Sequence, residues 1–219
     1  MKINIPLYSN LKDDTHCFQA CMKMALKHFF PEKNFSFRKL EKMTRKERGK
    51  GTWPMAGAVA LEKMGLRVAV FSMLDFRKFS KNALEYLGKE YGRGSGAIIT
   101  ENGSLDEAMK DSAEMVRRGI YRFRKLGTAD IEKFFARGCM VILNVSHRHI
   151  SDHEEEFGHY VIMTGFDRER IYVHDPGLPP RKDLGIRKSR FVKAWKHRKG
   201  EHETIVVWNR TKKQKAAGF

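Results

Sequence analysis

A nucleophilic thiol needs a setting that favours thiolate, a base within reach and a group that orients the base. Cys17 stands at the predicted first turn of a helix. There the backbone N–H groups and the positive end of the helix dipole favour thiolate over thiol. His159 opens the strand-like run HYVIMTGF, and Asp175 follows 16 residues later in HDPG, just past RIYVH. Two antiparallel strands joined by a turn over 167–169 would bring the start of the first beside the end of the second. His159 would then meet Asp175 as an imidazole held by a carboxylate. Cys17, His159 and Asp175 together suit acyl transfer, which needs no metal and no organic cofactor.

The other chemistry-bearing residues read differently. Cys21 lies four residues after Cys17 on the apolar side of the same helix and reads as core. Cys139 begins an apolar strand and is expected to be inert. His16 neighbours Cys17, but adjacent residues at a helix start point apart. His147, His149 and His153, with Asp152 and Glu154 to Glu156, resemble metal ligands. One loop does not converge four ligands on a point, so the run is expected to be a polar loop over a cleft mouth. Trp53 and Trp195 are expected to be packing residues.

These residues need elements to position them. Phe18, Cys21, Met22, Ala25, Leu26 and Phe29 recur with helical spacing and predict a helix over 17–29, with Asp13, Asp14 and Thr15 ahead of it as cap candidates. A short helix is expected after Ser36, and another from Thr52 and Pro54 to Gly65. LRVAVFS (66–72) alternates as a strand does. Residues 75–91 look helical, and Ser104 with Glu107 forms a capping-box pattern ahead of a helix to about Arg118. IYRFRKL (120–126) reads as a half-exposed strand, and Thr128 as the cap of a helix closed by Gly138. CMVILNV (139–145), HYVIMTGF (159–166), RIYVH (170–174) and TIVVW (204–208) are strand-like, and SRFVKAW (189–195) is helical. Helices first and strands later predict an α+β fold, with N-terminal helices packed on a mostly antiparallel sheet.

Composition narrows the class. Hydrophobic residues make up 41% and charged residues 32%, which excludes intrinsic disorder and fibrous repeats. No window approaches an apolar membrane span, and no apolar signal core follows the N-terminus. A cytoplasmic protein with reduced thiols is expected. The net charge is +17. From Arg187 to Phe219, eleven Lys and Arg face only Glu201 and Glu203. This basic C-terminal region could hold an acidic partner or nucleic acid, or simply be a solvated surface. No linker divides the chain. One domain is expected over 1–210, with a helical elaboration at about 75–127 and a basic flexible tail at 211–219.

DDTHCFQACMKMAL resembles the first motif of papain-like cysteine peptidases, and in particular the bacteriocin-processing, double-glycine-leader branch, whose motif runs Asp-Cys-Gly-x-Ala-x-x-x-Met. Ala20 and Met24 fall at the matching offsets. GHYVIMTGFDRERIYVHDPG resembles the second and third motifs, and SRFVKAW the closing Phe-x-x-x-Trp helix. The resemblance covers 5–30 and 128–208 well and 31–127 poorly. It implies a papain-like fold, with Cys17 as nucleophile, His159 as general base and Asp175 as its orienting carboxylate. The family places a Gln about six residues before the cysteine, for the oxyanion hole; here position 11 is Leu. Asn10 is the only side-chain amide between residues 5 and 16 and is the candidate donor, with closure of the SNLKDD turn as its other role. Phe18 replaces the usual glycine after the cysteine, a bulk that could narrow the cleft. The expected activity is hydrolysis of a peptide or protein substrate through a Cys17 thioester. The alternatives are an amidase or acyltransferase on the same site, or a non-catalytic basic binding module that keeps the fold.

Overall fold

The first apolar stripe of the sequence forms α1 (Cys17–Phe29), with Phe18, Cys21, Met22, Ala25 and Leu26 buried and Lys27 and His28 at its negative end. In the computed structural model, residues 1–150, 158–196 and 202–209 are described. Beside α1 lie α2 (Phe37–Thr44), whose Ser36 cap accepts the Lys39 N–H, and α3 (Met55–Lys63). β1 (Arg67–Ser72) leads into the helices of the middle stretch: α4 (Phe76–Phe79), α5 (Ala83–Tyr91), α6 (Ser95–Glu101) and α7 (Leu105–Arg117). Then come β2 (Tyr121–Phe123), α8 (Thr128–Ala136), β3 (Met140–Ser146) and α9 (His147–Ile150). The chain continues through β4 (Gly158–Phe166), β5 (Arg170–Asp175), β6 (Arg181–Arg187), α10 (Lys188–Trp195) and β7 (Thr204–Trp208).

Among the described residues the strands form one sheet in the order β2-β1-β7-β3-β4-β5-β6. Only β1 and β2 pair in parallel; the other neighbours are antiparallel. Period-two alternation sorts the side chains onto two faces. Val68, Val70, Met140, Ile142, Ile162, Ile205 and Val207 join the core beneath α1 and α3. Ala69, Phe71, Val141, Leu143, Val161, Met163 and Val206 join a second core with α8 and α10. The protein is thus α+β, with helices on both faces of the sheet.

Several local expectations change. Residues 181–187 form a strand that the polar run RKDLGIR does not announce; as the sheet edge, β6 buries only Ile186. The strand expected over 120–126 shortens to β2. Gly127, not Thr128, caps α8, with the Asp130 carboxylate accepting the Gly127 N–H. Half of the capping box at Ser104 forms. Ser104 Oγ accepts the Glu107 N–H, but Glu107 turns to Arg45 and Lys110, and the Ser104 N–H goes to Glu47. Residues 75–91 hold two helices, because Asn82 caps a fresh start at Ala83.

Candidate active site

What sets Cys17 at the head of α1 is the turn before it. None of the side chains Asp13, Asp14 or Thr15 caps the helix; the N-cap position is His16. The buried Asn10 closes this turn. Its Oδ1 accepts the N–H groups of His16 (2.6 Å) and Leu11 (3.1 Å), and its Nδ2 donates to Asp14 (2.6 Å). Its backbone N–H donates to the Pro176 carbonyl (2.7 Å), which ties the turn to the loop after β5. The amide expected to aim at the Cys17 sulfur is therefore bonded at both ends within the turn. The His16 ring is held by Asp13 and Glu41, each at 2.9 Å.

α1 packs on β4 and brings Cys17 to His159 at the strand's start. The β4–β5 hairpin brings Asp175 to the same place. His159 Nε2 and Asp175 Oδ1 lie 2.7 Å apart, both residues buried. The Gly177 N–H donates to the same oxygen (2.8 Å), and Arg181 donates Nε and Nη2 to Oδ2 (2.9 and 2.5 Å). A Cβ at Gly177 would stand 3.0 Å from Asp175 Oδ1 and 3.4 Å from His147 Nε2, so any side chain there would press on the groups around His159.

The electrostatics follow from the contacts. Burial opposes charge on His159, but hydrogen bonds to Asp175 and Cys17, with the negative charge of both, outweigh it and push the imidazole up to about 10. Burial likewise works against an ionised Asp175, yet His159, Gly177 and Arg181 hold its carboxyl well below the usual range. Cys21 donates its thiol to the Tyr160 carbonyl (3.3 Å), and burial raises it well above an ordinary thiol. Burial also pushes Cys139 up to about 11. Both are core residues, as expected, whereas Cys17 is partly exposed.

Sequence reasoning missed three members of this neighbourhood. Arg181 neutralises Asp175 from across the loop. His147, expected in a loop over the cleft, is instead buried in α9, its ring centroid 4.4 Å from that of His159. Residues 151–157, with the rest of the expected polar loop, lie outside the described residues. Potential ligand atoms of His147, His159 and Asp175 all lie within 4.8 Å of one another. Asp175 already spends both oxygens on hydrogen bonds, one to a guanidinium. The third is Glu203, which the sequence offers only as one acid in a basic stretch. It is buried, accepts the Tyr160 hydroxyl, and burial pushes its carboxyl up.

Cys17 and His159 open into a cavity of about 230 Å³. Its walls are largely apolar, with Phe18, Trp53, Leu87, Tyr91 and Ile98, and Asn144 and Glu203 add polar groups. Phe18 is 1% exposed, tilted against Tyr160 at 4.8 Å. A Cβ on Gly57 would meet Phe18 Cε1 at 2.5 Å, so Gly57 makes room for the ring that replaces the family's glycine. Trp53, expected as packing, also lines the cavity, while its Nε1 donates to the Gly103 carbonyl (2.9 Å). Trp195 is buried in the second core.

A thiol paired with a histidine that a buried carboxylate holds, on a helix packed against an antiparallel sheet, is the arrangement of papain-like cysteine peptidases. The Peptidase C39 like family matches residues 2–203, and the chain belongs to it. One solved structure agrees in fold. A double glycine motif protease from an AMS/PCAT transporter, in complex with the leader peptide, superposes with a TM-score of 0.51 at 13% identity, covering 95% of this chain and 94% of that one. The peptidase domain of Streptococcus ComA, a bi-functional ABC transporter involved in a quorum sensing pathway, gives 0.49 at 14% identity over 93% and 98%. No curated protein sequence matches. At family level this is a cysteine peptidase of papain-like fold. No helix among the described residues is long and apolar enough to cross a membrane.

Proposed function

We propose that the chain hydrolyses a peptide or amide bond through a Cys17 thioester, with His159 as acid and base and Asp175 as its orienting carboxylate. The observation that carries this reading is the His159 ring, bonded through Nε2 to Asp175 and interacting with the Cys17 thiol. Cys17 Sγ, its proton transferred to His159, bonds to the substrate carbonyl carbon. The C=O electron pair moves onto oxygen. The oxyanion is met by backbone N–H groups of the first turn of α1, which have no carbonyl partner inside the helix. The C–N bond breaks, His159 protonates the leaving amine, and the thioester remains. Water then gives a proton to His159 and its oxygen to the carbonyl carbon, releasing the acid and the thiol. Asn10 acts on this site through the turn it closes, holding the start of α1.

Substrate enters a mainly apolar cavity, which favours a bulky apolar side chain or acyl group next to the scissile bond. The reading is tested with fluorogenic peptides and iodoacetamide labelling near neutral pH. Cys17 is expected to label while Cys21 and Cys139 stay protected. Cys17→Ala is expected to lower turnover roughly 10⁴–10⁶-fold. A product carrying an added amine in place of a free carboxylate would identify acyl transfer. A folded protein with no turnover on any peptide and no preferential Cys17 labelling would identify a binding module.

A further inference from the structure

A second cavity, of about 430 Å³, lies at the β2 edge of the sheet and shares no residue with the cavity at Cys17. Three strands separate β2 from β4. At roughly 4.8 Å per strand, β2 lies about 19 Å across the sheet from β4, which carries His159. Five cationic side chains line it: Arg77, Arg122, Arg124, Lys133 and Arg137. Against them stands one carboxylate, Asp130, which pairs with Arg124 at 2.9 Å. The floor is aromatic. Phe71 and Phe134 stack with ring centroids 5.5 Å apart, and the Arg77 guanidinium lies 5.8 Å from the Tyr121 ring.

Edge strands often carry cations to discourage strand pairing, which would account for Arg122 and Arg124. It does not account for Phe123, which sits between them and is 48% exposed. By strand alternation Phe123 shares the face of Tyr121. Arg122, which pairs with Phe71 and donates Nη1 to the Gly119 and Tyr121 carbonyls, shares the face of Phe134 and Lys133. The cavity therefore wraps the sheet edge, with a ring for stacking a planar group on one side and cations for an attached anion on the other. That combination is the recognition chemistry of a base with its phosphates. The volume falls within the range of small-molecule sites.

We propose that this cavity binds a nucleotide unit that wraps the β2 edge, its base stacked on Phe123 on one face and its phosphate held by Arg122 and Lys133 on the other. The unit could be a free nucleotide or part of a single strand, since both present the same base and phosphate. The site is independent of Cys17 and stands whether or not the chain cleaves peptides.

The test uses the full chain with two probes, ATP and a fluorescein-labelled ten-nucleotide single-stranded DNA, read by calorimetry and anisotropy, with polyglutamate as a charge control. Saturable binding of at least one nucleotide probe is expected. Phe123→Ala should weaken it about tenfold and leave polyglutamate binding and the melting temperature unchanged. Lys133→Glu should weaken binding further and reduce the slope of log Kd against log salt by about one. Ultraviolet cross-linking should place the strand on the peptide containing Phe123. Binding of ATP that competes with the strand identifies a free-nucleotide site, and binding of the strand alone identifies a nucleic-acid site. No binding at physiological salt, binding insensitive to Phe123→Ala, equal loss of polyglutamate binding, or cross-links confined to residues 210–219 would overturn the proposal.

Discussion

Asp175 takes four hydrogen bonds on two oxygens, from His159, from the Gly177 backbone and twice from Arg181. Removing its charge while keeping its shape separates orientation from electrostatics. In Asp175→Asn an amide nitrogen facing His159 Nε2 demands the other imidazole tautomer, so the proton lands on the side of the thiol. Turnover is expected to fall roughly 10²–10⁴-fold, with circular dichroism unchanged and the His159 titration, followed by NMR, moved below that of wild type. Full activity in this variant would reduce the carboxylate to a brace for the DPG turn. The same pair gives stability a pH signature. His159 is raised from 6.5 to about 10, so its contribution is complete below about 6.5 and is lost as pH climbs to about 10. Asp175 is lowered, so its contribution is present above the ordinary aspartate value of 3.8 and disappears as pH falls through the lower folded value. Urea unfolding of wild type should therefore show stability declining between pH 6.5 and 10, and the decline should be absent in His159→Gln.

The start of α1 depends on a residue seven positions before Cys17. Asn10→Ala leaves the His16 N–H buried without its acceptor, which costs about 1–3 kcal/mol. It also loosens the helix head that presents Cys17. Both the melting temperature and turnover are expected to drop, whereas Asp14→Asn, which keeps an acceptor for Asn10 Nδ2 and a residue type that tolerates the left-handed backbone at this position (φ 51°), should cost less of each. Lost turnover at unchanged stability would instead assign Asn10 to the oxyanion hole. What was legible in the sequence follows from how each element is stabilised. The limits of α1 were plain, because its apolar stripe is long and its buried face continuous. The pair His159 and Asp175 was legible because an antiparallel hairpin fixes which residues meet. Strand β6 was not, since an edge strand with one buried residue shows little alternation. Glu203 escaped because its contact with Tyr160 is distant in sequence. Arg181 and His147, though near their partners in the chain, escaped because the loop leading from β5 to Arg181 and the short helix α9 carry no periodicity that would aim them. The role of Asn10 was undecided, since an amide closes a turn or faces a substrate with the same chemistry.

At the scale of the molecule, the stretch over 31–127, whose resemblance to the family's motifs is poor, completes the cavity. Helices α5 and α6 contribute Leu87, Tyr91, Ile98 and Glu101 to its lining, joined by Asn102 just after α6. They are latched to the segment after α2. The Gly51 N–H donates to the Glu101 carbonyl at 2.6 Å, Trp53 Nε1 to the Gly103 carbonyl, and Arg45 pairs with Glu107 and Asp111. A wall made by an elaboration, apart from the helix and strands that hold the proposed catalytic groups, lets preference change without disturbing Cys17, His159 or Asp175. Ile98 is the position to test, because it is buried against the cavity yet belongs to neither the catalytic set nor the sheet. Ile98→Trp should fill part of the space, so that kcat/KM for peptides with a bulky apolar residue beside the scissile bond falls about tenfold or more, while peptides with glycine or alanine there keep theirs. A pocket contact of one or two methylenes is worth about 10–200-fold in such discrimination, so the effect lies within reach of a steady-state assay. Ile98→Ala should act in the opposite sense, admitting larger residues at a cost in stability of about 2–5 kcal/mol for the truncated core side chain. Labelling of Cys17 by iodoacetamide, too small to reach that wall, should be the same in all three proteins. A parallel loss for large and small peptides would mean that the elaboration only supports the fold, and that side-chain selection lies elsewhere.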